Sequence, residues 1–316
     1  MRRLLVTALV LTAVATGGAA SRLDPGAPGR FPVGDATLTL VDAARGRTLV
    51  TELWYPAAAP GRDAARRRGR FPLVLVAHGH CGVRTNYEHL TRHLASRGFV
   101  VAAPDFPGFT KAVCDAGGPT SGLVDEPPED LAFLARVLHD RAGPAAAVAA
   151  AVRGRRTGLV GHSLGGLATI NAARAHRELA ATVALAPAAG AATAAPFHGL
   201  TPPRAFLVVA GTADATVPPA LFAVPFFRAL PPPAWLVTIT GGTHGGFTDV
   251  AGGTSPAALA RQQALVRRYA TAFLEGVLAN RRRMRRFLTP ADALAQGPDV
   301  AVDVRPRRFP SPPTAR

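Results

Sequence analysis

Lysine and cysteine are almost absent from this 316-residue chain. Lys111 is the only lysine, so arginine carries almost all of the net charge of +16. With two cysteines, Cys81 and Cys114, the chain has no zinc-finger pattern, and it contains neither an RNA-binding aromatic motif nor a sustained basic helix in its central part. We therefore expect no nucleic-acid partner, and we attribute the arginine bias to a GC-rich genome.

Long apolar runs are missing too, except near the start of the chain. Residues 4–15 are apolar, follow Arg2 and Arg3, and precede the small residues 18–20. A charged start, a short apolar stretch and a small-residue cleavage site are typical of an export signal, although a retained N-terminal anchor is the alternative. The apolar run is too short for a good membrane span. We predict a signal peptide over residues 1–20, no transmembrane span in the mature chain, and export to the cell envelope or the medium.

Glycines flank a serine in the sequence Gly-His-Ser-Leu-Gly-Gly at 161–166. It lies between a predicted strand at 157–160 and a predicted helix at 167–177. A serine on such a tight turn has a strained backbone, so the residues two positions away must be small, as Gly161 and Gly165 are. The pattern predicts a nucleophile elbow with Ser163 as the nucleophile. The alternative is a glycine-rich turn with an incidental serine.

An acid and a histidine follow Ser163 in the order that this kind of site requires. A predicted strand at 206–210 leads into Asp214, and another at 235–240 leads into His244. We predict His244 as the general base and Asp214 as the carboxylate that holds the tautomer of its imidazole.

An oxyanion hole is predicted from two backbone N–H groups. One belongs to Leu164, directly after the nucleophile, and the other to His80, in the loop that follows an apolar strand at 73–77. His162 faces the wrong way for a base, and we expect it to pack below the pocket. We expect no metal site: His89 and His93 have a spacing that metals use, but a third ligand is missing, and we expect both to be solvated.

Cys81 and Cys114 each follow a predicted strand, and those two strands are neighbours in the expected sheet. An even number of cysteines in an exported protein favours a disulfide. A bridge across the rim of the site is therefore one interpretation. The other is two free thiols, with Cys81 packing under the oxyanion loop.

The order of predicted elements indicates an α/β fold with a mostly parallel, twisted sheet and helices on both faces. We expect a lead-in at 21–35, one catalytic domain at 36–280, and a basic, Pro/Arg-rich, irregular tail at 281–316. The segment 186–204 is too short for a large lid, so we expect an open site.

Three further stretches carry a family resemblance: Leu53-Trp54-Tyr55-Pro56, the run at 93–105 and the run at 243–249. With the elbow, they make residues 35–280 resemble the α/β-hydrolase superfamily. The likeness is to bacterial dienelactone-hydrolase-like proteins related to platelet-activating-factor acetylhydrolases, and more distantly to lidless polyester hydrolases and cutinases. True dienelactone hydrolases carry cysteine where this chain has Ser163. The resemblance implies a carboxylic-ester hydrolase without a cofactor.

We therefore expect an exported serine hydrolase that cleaves a small-molecule, lipid or polymer ester through an acyl-enzyme. One alternative is a secreted acyltransferase that uses the same triad. The other is a catalytically silent binding protein on the same scaffold. No sequence feature indicates the acyl-chain length or the oligomeric state.

Overall fold

A computed structural model describes residues 23–118, 124–198, 204–250 and 252–305. The strands in these ranges are β1 (Val33–Asp42), β2 (Arg47–Pro56), β3 (Gly61–Arg62), β4 (Phe71–Ala77), β5 (Val100–Pro104), β6 (Val152–His162), β7 (Leu179–Leu185), β8 (Ala205–Gly211), β9 (Ala234–Ile239) and β10 (Val300–Arg305). The α-helices are α1 (Glu88–Ser96), α2 (Lys111–Asp115), α3 (Glu126–Asp140), α4 (Ala146–Ala149), α5 (Leu164–Ala175), α6 (Ala191–Ala194), α7 (Ala223–Ala229), α8 (Pro256–Val277) and α9 (Pro290–Gln296).

The strands form one sheet in the order β10-β9-β8-β7-β6-β4-β5-β2-β1-β3. Six central strands, β5, β4, β6, β7, β8 and β9, are parallel, and β2 and β10 run antiparallel to their neighbours β5 and β9. The central strands are continuous apolar runs because both of their faces are buried. The carboxyl ends of β6, β8 and β9 therefore meet at one edge of the sheet.

Helices cover both faces of the sheet and form two hydrophobic cores. Leu131 of α3 and Ile170 of α5 belong to one core, and Leu90 of α1 and Phe273 of α8 belong to the other. The predicted α/β architecture with helices on both faces is thus confirmed. The region expected to lack a lid holds α6, a helix of four residues.

The predicted signal peptide at 1–20 lies outside the described residues. Among the residues that are described, none of the helices has the length and apolar character needed to cross a membrane.

The expectation of an irregular tail after residue 280 is wrong for residues 282–305. They form a 3₁₀ helix at Arg282–Phe287, then α9, then β10, which pairs with β9. Val300 and Val302 are buried and alternate with exposed residues, which is the two-residue period of a half-buried strand. The arginine-rich composition obscured this short pattern. Residues 306–316 of the predicted tail lie outside the described ranges.

The expected lead-in is also more ordered than its composition suggested. The first strand begins at Val33, inside the predicted lead-in of 21–35. Before it, the Pro25 carbonyl accepts a hydrogen bond from His93 Nε2 at 2.9 Å, and Gly29 N–H donates to Ser96 Oγ at 2.8 Å. Residues 25–29 are therefore fastened to the end of α1.

A buried ion pair between α1 and α8 joins the segment before β1 to the rest of the domain. Arg97, at the end of α1, donates to both carboxylate oxygens of Glu275 in α8, at 3.0 and 3.3 Å, and to the carbonyls of Asp24 and Ala27. Arg281 reaches the same carboxylate at 3.1 Å. Glu275 is fully buried, so its charge depends on these two guanidinium groups.

Replacing Glu275 with alanine should lower the free energy of unfolding by about 3–5 kcal/mol, because the Arg97 guanidinium would stay buried without a counter-charge. Urea denaturation measures this loss. The control is Asp115→Ala, which breaks an exposed pair with Lys111 and should cost about 1 kcal/mol or less. Equal losses of unfolding free energy in the two variants would show that the buried ion pair contributes no more to stability than the exposed one.

Candidate active site

The tight turn after β6 places Ser163 at the carboxyl edge of the sheet. Its backbone has φ 56° and ψ −123°, a left-handed conformation that is costly for a residue with a side chain. A methyl group on Gly161 would lie 2.2 Å from the carbonyl oxygen of Gly165, and one on Gly165 would lie 2.4 Å from that of Ala77. Neither glycine can be replaced without moving backbone, so both have the place in the elbow that the sequence predicts.

The carboxylate of Asp214 is fixed by three hydrogen bonds. Its Oδ1 accepts from the backbone N–H groups of Thr216 and Val217 at 3.0 and 2.8 Å, and its Oδ2 lies 2.8 Å from Nδ1 of His244. The carboxylate is almost fully buried and has no proton to give when ionised, so Nδ1 of His244 is the donor. The other imidazole nitrogen, Nε2, is then left with a lone pair.

The ring of His162, the residue before the nucleophile, packs against His244. The two imidazole centroids lie 4.4 Å apart, and the centroid of the Phe247 ring lies 5.7 Å from that of His162. Burial, and then the charge of His244, lowers the pKa of His162 to about 3. A neutral ring here does not oppose the formation of a positive charge on His244. His162 thus has the packing position that was expected from the sequence.

Tyr87 connects His162 to the loop after β4. Its hydroxyl accepts a hydrogen bond from Gly79 N–H at 3.1 Å and donates to His162 Nδ1 at 3.0 Å. Burial raises the pKa of Tyr87, so the hydroxyl stays protonated. One buried hydroxyl therefore fixes two chain segments beside Ser163.

The loop after β4 passes directly over the nucleophile. A methyl group on Gly79 would lie 3.2 Å from Ser163 Cβ. His80 and Leu164, the two residues predicted to supply oxyanion donors, line one small pocket together with Phe106 and Phe109. Apart from two histidines, the residues that line the pocket are apolar or glycine.

The side chain of His78 stabilises this loop with two hydrogen bonds. Its Nε2 accepts a hydrogen bond from Phe106 N–H at 3.0 Å, so its Nδ1 carries the proton and donates to the Gly79 carbonyl at 2.7 Å. Burial lowers the pKa of His78. The neutral ring therefore makes both hydrogen bonds at neutral pH.

A disulfide between Cys81 and Cys114 fixes the other end of the loop. The bridge links residues 33 apart in the sequence, and Lys111 N–H donates to the Gly82 carbonyl at 3.2 Å. The structure therefore has the bridged arrangement and not the two free thiols. The His80 ring lies 3.5 Å from Cys81 Sγ, but the bridged sulfurs supply no thiolate of the kind that zinc needs.

Two positions beside the site were not recognised in the sequence. Gln262 of α8 accepts from Thr243 N–H at 3.0 Å and donates to the Thr243 carbonyl at 2.9 Å, which clamps the residue before His244. Tyr87 is the other. The hydrogen bonds of Gln262 to Thr243 span 19 residues and that of Tyr87 to His162 spans 75, so no local pattern could reveal them.

The expectation that His89 and His93 are solvated is wrong. His93 is buried against Pro25, and His89 Nε2 lies 3.2 Å from the Phe247 carbonyl. Burial lowers the pKa of each to about 4. Burial therefore keeps each ring neutral, although the backbone carbonyl that faces its Nε2 acts in the opposite direction.

Residues 27–302 match the model of a family described as PET hydrolase-like. The chain belongs to this family. Its members are α/β-hydrolases, so the predicted superfamily is confirmed, and the matching family is the polyester-hydrolase type that the sequence resembled more distantly. The match reaches past the predicted domain at both ends, in keeping with the folded segments at 25–32 and 282–305.

One relative with a named activity is bis(hydroxyethyl) terephthalate hydrolase from Streptomyces coelicolor (strain ATCC BAA-471 / A3(2) / M145). It is 30% identical over 167 residues, which is 52% of this chain and 46% of the relative. The match thus spans about half the length of each protein.

Loss of the disulfide should destabilise the protein. Closing a loop of 33 residues lowers the entropy of the unfolded chain enough to contribute about 3–4 kcal/mol, and the double variant Cys81→Ser/Cys114→Ser should lose that amount in urea denaturation. Thiol titration of the unfolded wild-type protein should find no free thiol before reduction and two after it. Free thiols before reduction would contradict the bridge.

Proposed function

We propose that this protein is an exported carboxylic-ester hydrolase that works through a Ser163-His244-Asp214 triad and an acyl-enzyme. The observation that carries the proposal is the Asp214–His244 hydrogen bond of 2.8 Å beside a serine held at φ 56°. Membership of the PET hydrolase-like family supports the same reaction class.

In the proposed reaction, His244 Nε2 takes the proton of Ser163 Oγ as the oxygen attacks the ester carbonyl. Asp214 stabilises the imidazolium and keeps Nδ1 protonated. His244 then gives the proton to the leaving alcohol, and an acyl group remains on Ser163. Water, deprotonated by the same imidazole, releases the acid and restores the enzyme.

The negative charge on the carbonyl oxygen is assigned to the N–H groups of His80 and Leu164. Leu164 begins α5, so its N–H points out of a helix N-terminus, which favours an anion. His80 lies in a loop held by Tyr87, His78 and the disulfide. A donor held in place in this way does not need to reorganise when the charge forms.

An aromatic dicarboxylate ester is the substrate class that we favour. The relative from Streptomyces coelicolor is named for hydrolysis of bis(hydroxyethyl) terephthalate, and a short α6 leaves no large lid in the described residues to exclude a flat, bulky ester. Transfer of the acyl group to an alcohol is the second candidate, because the same triad would support it.

Export is part of the proposal. The N-terminal pattern at 1–20 is that of a signal peptide. The Cys81–Cys114 disulfide supports an oxidising compartment, where such bridges form and persist.

Ser163→Ala should abolish hydrolysis of p-nitrophenyl acetate, butyrate, octanoate and palmitate and of bis(2-hydroxyethyl) terephthalate, because no other nucleophile is positioned there. Release of p-nitrophenol, and chromatography of the terephthalate products, measure this. Thermal unfolding of the variant serves as the control for folding. Equal turnover by wild type and variant would contradict the proposed nucleophile, and esters of an added alcohol as the main product would favour the acyltransferase.

Tyr87→Phe should lower kcat about tenfold with little change in KM. The substitution leaves Gly79 N–H without its acceptor, a loss of about 1–3 kcal/mol at a buried donor, and the loop that carries His80 N–H should lose its fixed position. Steady-state kinetics with p-nitrophenyl butyrate separate the two constants. Active-site titration with a fluorophosphonate measures the fraction of active molecules and should give full occupancy in the variant. If Tyr87 served folding alone, this fraction would fall. A fraction reduced enough to account for the lost rate would overturn the positioning role.

A further inference from the structure

A wide groove lies at the amino-terminal end of the sheet, opposite the edge that holds Ser163. It has a volume of about 730 Å³, and its lining includes Ala132, Phe133, Arg136, Arg155, Arg156 and Arg177. Ser163 follows Arg156 by seven positions along β6, which corresponds to about 23 Å at about 3.3 Å per residue. The groove is therefore a separate place on the molecule.

Some of the charges around the groove are already paired. Arg155 lies 3.3 Å from Asp140, and Glu129 lies 3.1 Å from His176. Arg45 contacts Asp42, Glu126 and Asp130. These contacts form the sides of the groove and leave little free charge.

Three arginines along the groove are different. Arg136, Arg156 and Arg177 make no hydrogen bond or ion pair with any residue that the structure describes, and the only lining carboxylate there without an ion pair is Glu178. His176 cancels the charge of Glu129 only when it is protonated, so the three arginines face two carboxylates, Glu129 and Glu178, and the groove has a surplus of one positive charge. A surplus of this kind attracts an anion, and guanidinium groups match the geometry of a carboxylate.

The floor of the groove is apolar. Ala132 and Phe133 of α3 lie on it, each more than nine-tenths buried, and the guanidinium of Arg136 lies over the Phe133 ring at 5.4 Å and extends the floor with its side chain. A flat apolar body could lie on this floor while an acid group reaches the arginines. A bare inorganic anion would leave the apolar floor in water.

We propose that this groove binds an organic carboxylate with a flat apolar body, that is, an aromatic acid, through Arg156 and Arg177. The site goes beyond the proposed function and does not depend on Ser163. The two are connected only in that hydrolysis of an aromatic ester would release an acid of this class.

The test is isothermal titration calorimetry of the full chain with naphthalene-2-carboxylate. We expect saturable binding to one site, a Kd at least tenfold higher in Arg156→Gln/Arg177→Gln, and a change of less than twofold in Arg153→Gln. Arg153 is the matched control because it is exposed on the same strand and does not line the groove. Naphthalene-2-carboxamide, which has the same ring without the charge, should bind at least tenfold more weakly than the acid.

The inference is overturned if the double variant and the control bind the acid equally, if the amide binds as tightly as the acid, or if inorganic phosphate binds as tightly and with the same dependence on the arginines. Ser163→Ala should retain binding, and the double variant should hydrolyse p-nitrophenyl acetate at the wild-type rate. Failure of this site is thus distinguishable from failure of the proposed hydrolase.

Discussion

Close contact between backbone atoms at Gly161, Gly165 and Ala77 determines where the candidate nucleophile lies. Because a methyl group at either glycine would come within 2.4 Å of a carbonyl oxygen, β6, α5 and the end of β4 approach one another only with glycine at these places. The turn between β6 and α5 must then hold Ser163 in a left-handed conformation. The cost of that conformation, of order 1–3 kcal/mol, is offset by the packed sheet around it.

Neutral polar groups, rather than charges, position the chain segments around the serine. Tyr87, His78 and Gln262 each use both of their hydrogen-bonding capacities on backbone or ring atoms next to the site. Burial keeps the two rings in their neutral forms. The only ionised group that the proposed mechanism needs in the resting state is Asp214, whose carboxylate faces Nδ1 of His244 at 2.8 Å.

The central strands and the three candidate catalytic residues could be predicted because each depends on a short, local pattern. The elbow needs glycines at two fixed offsets, and Asp214 and His244 each follow a continuous apolar strand. The ends of the domain could not be predicted in this way. Residues 282–305 are rich in arginine, and the buried positions of Met284, Leu288, Ala293, Val300 and Val302 show that they are part of the fold. Tyr87 and Gln262 have no local signature, since the residues that they join to the site, His162 and Thr243, lie 75 and 19 residues away.

The strand β10 affects the tendency of the protein to aggregate with its own copies. An unpaired strand at the margin of a sheet is a template to which another chain can add, and it promotes aggregation. Here the strand that leads to His244 is interior, because β10 covers it with alternating buried valines. At the other margin of the described sheet lies β3, which is two residues long and carries Arg62 in an ion pair with Glu52. The margin strand β10 itself carries the exposed Asp303, so both margins are charged, and the apolar centre of the sheet is withheld from neighbouring molecules.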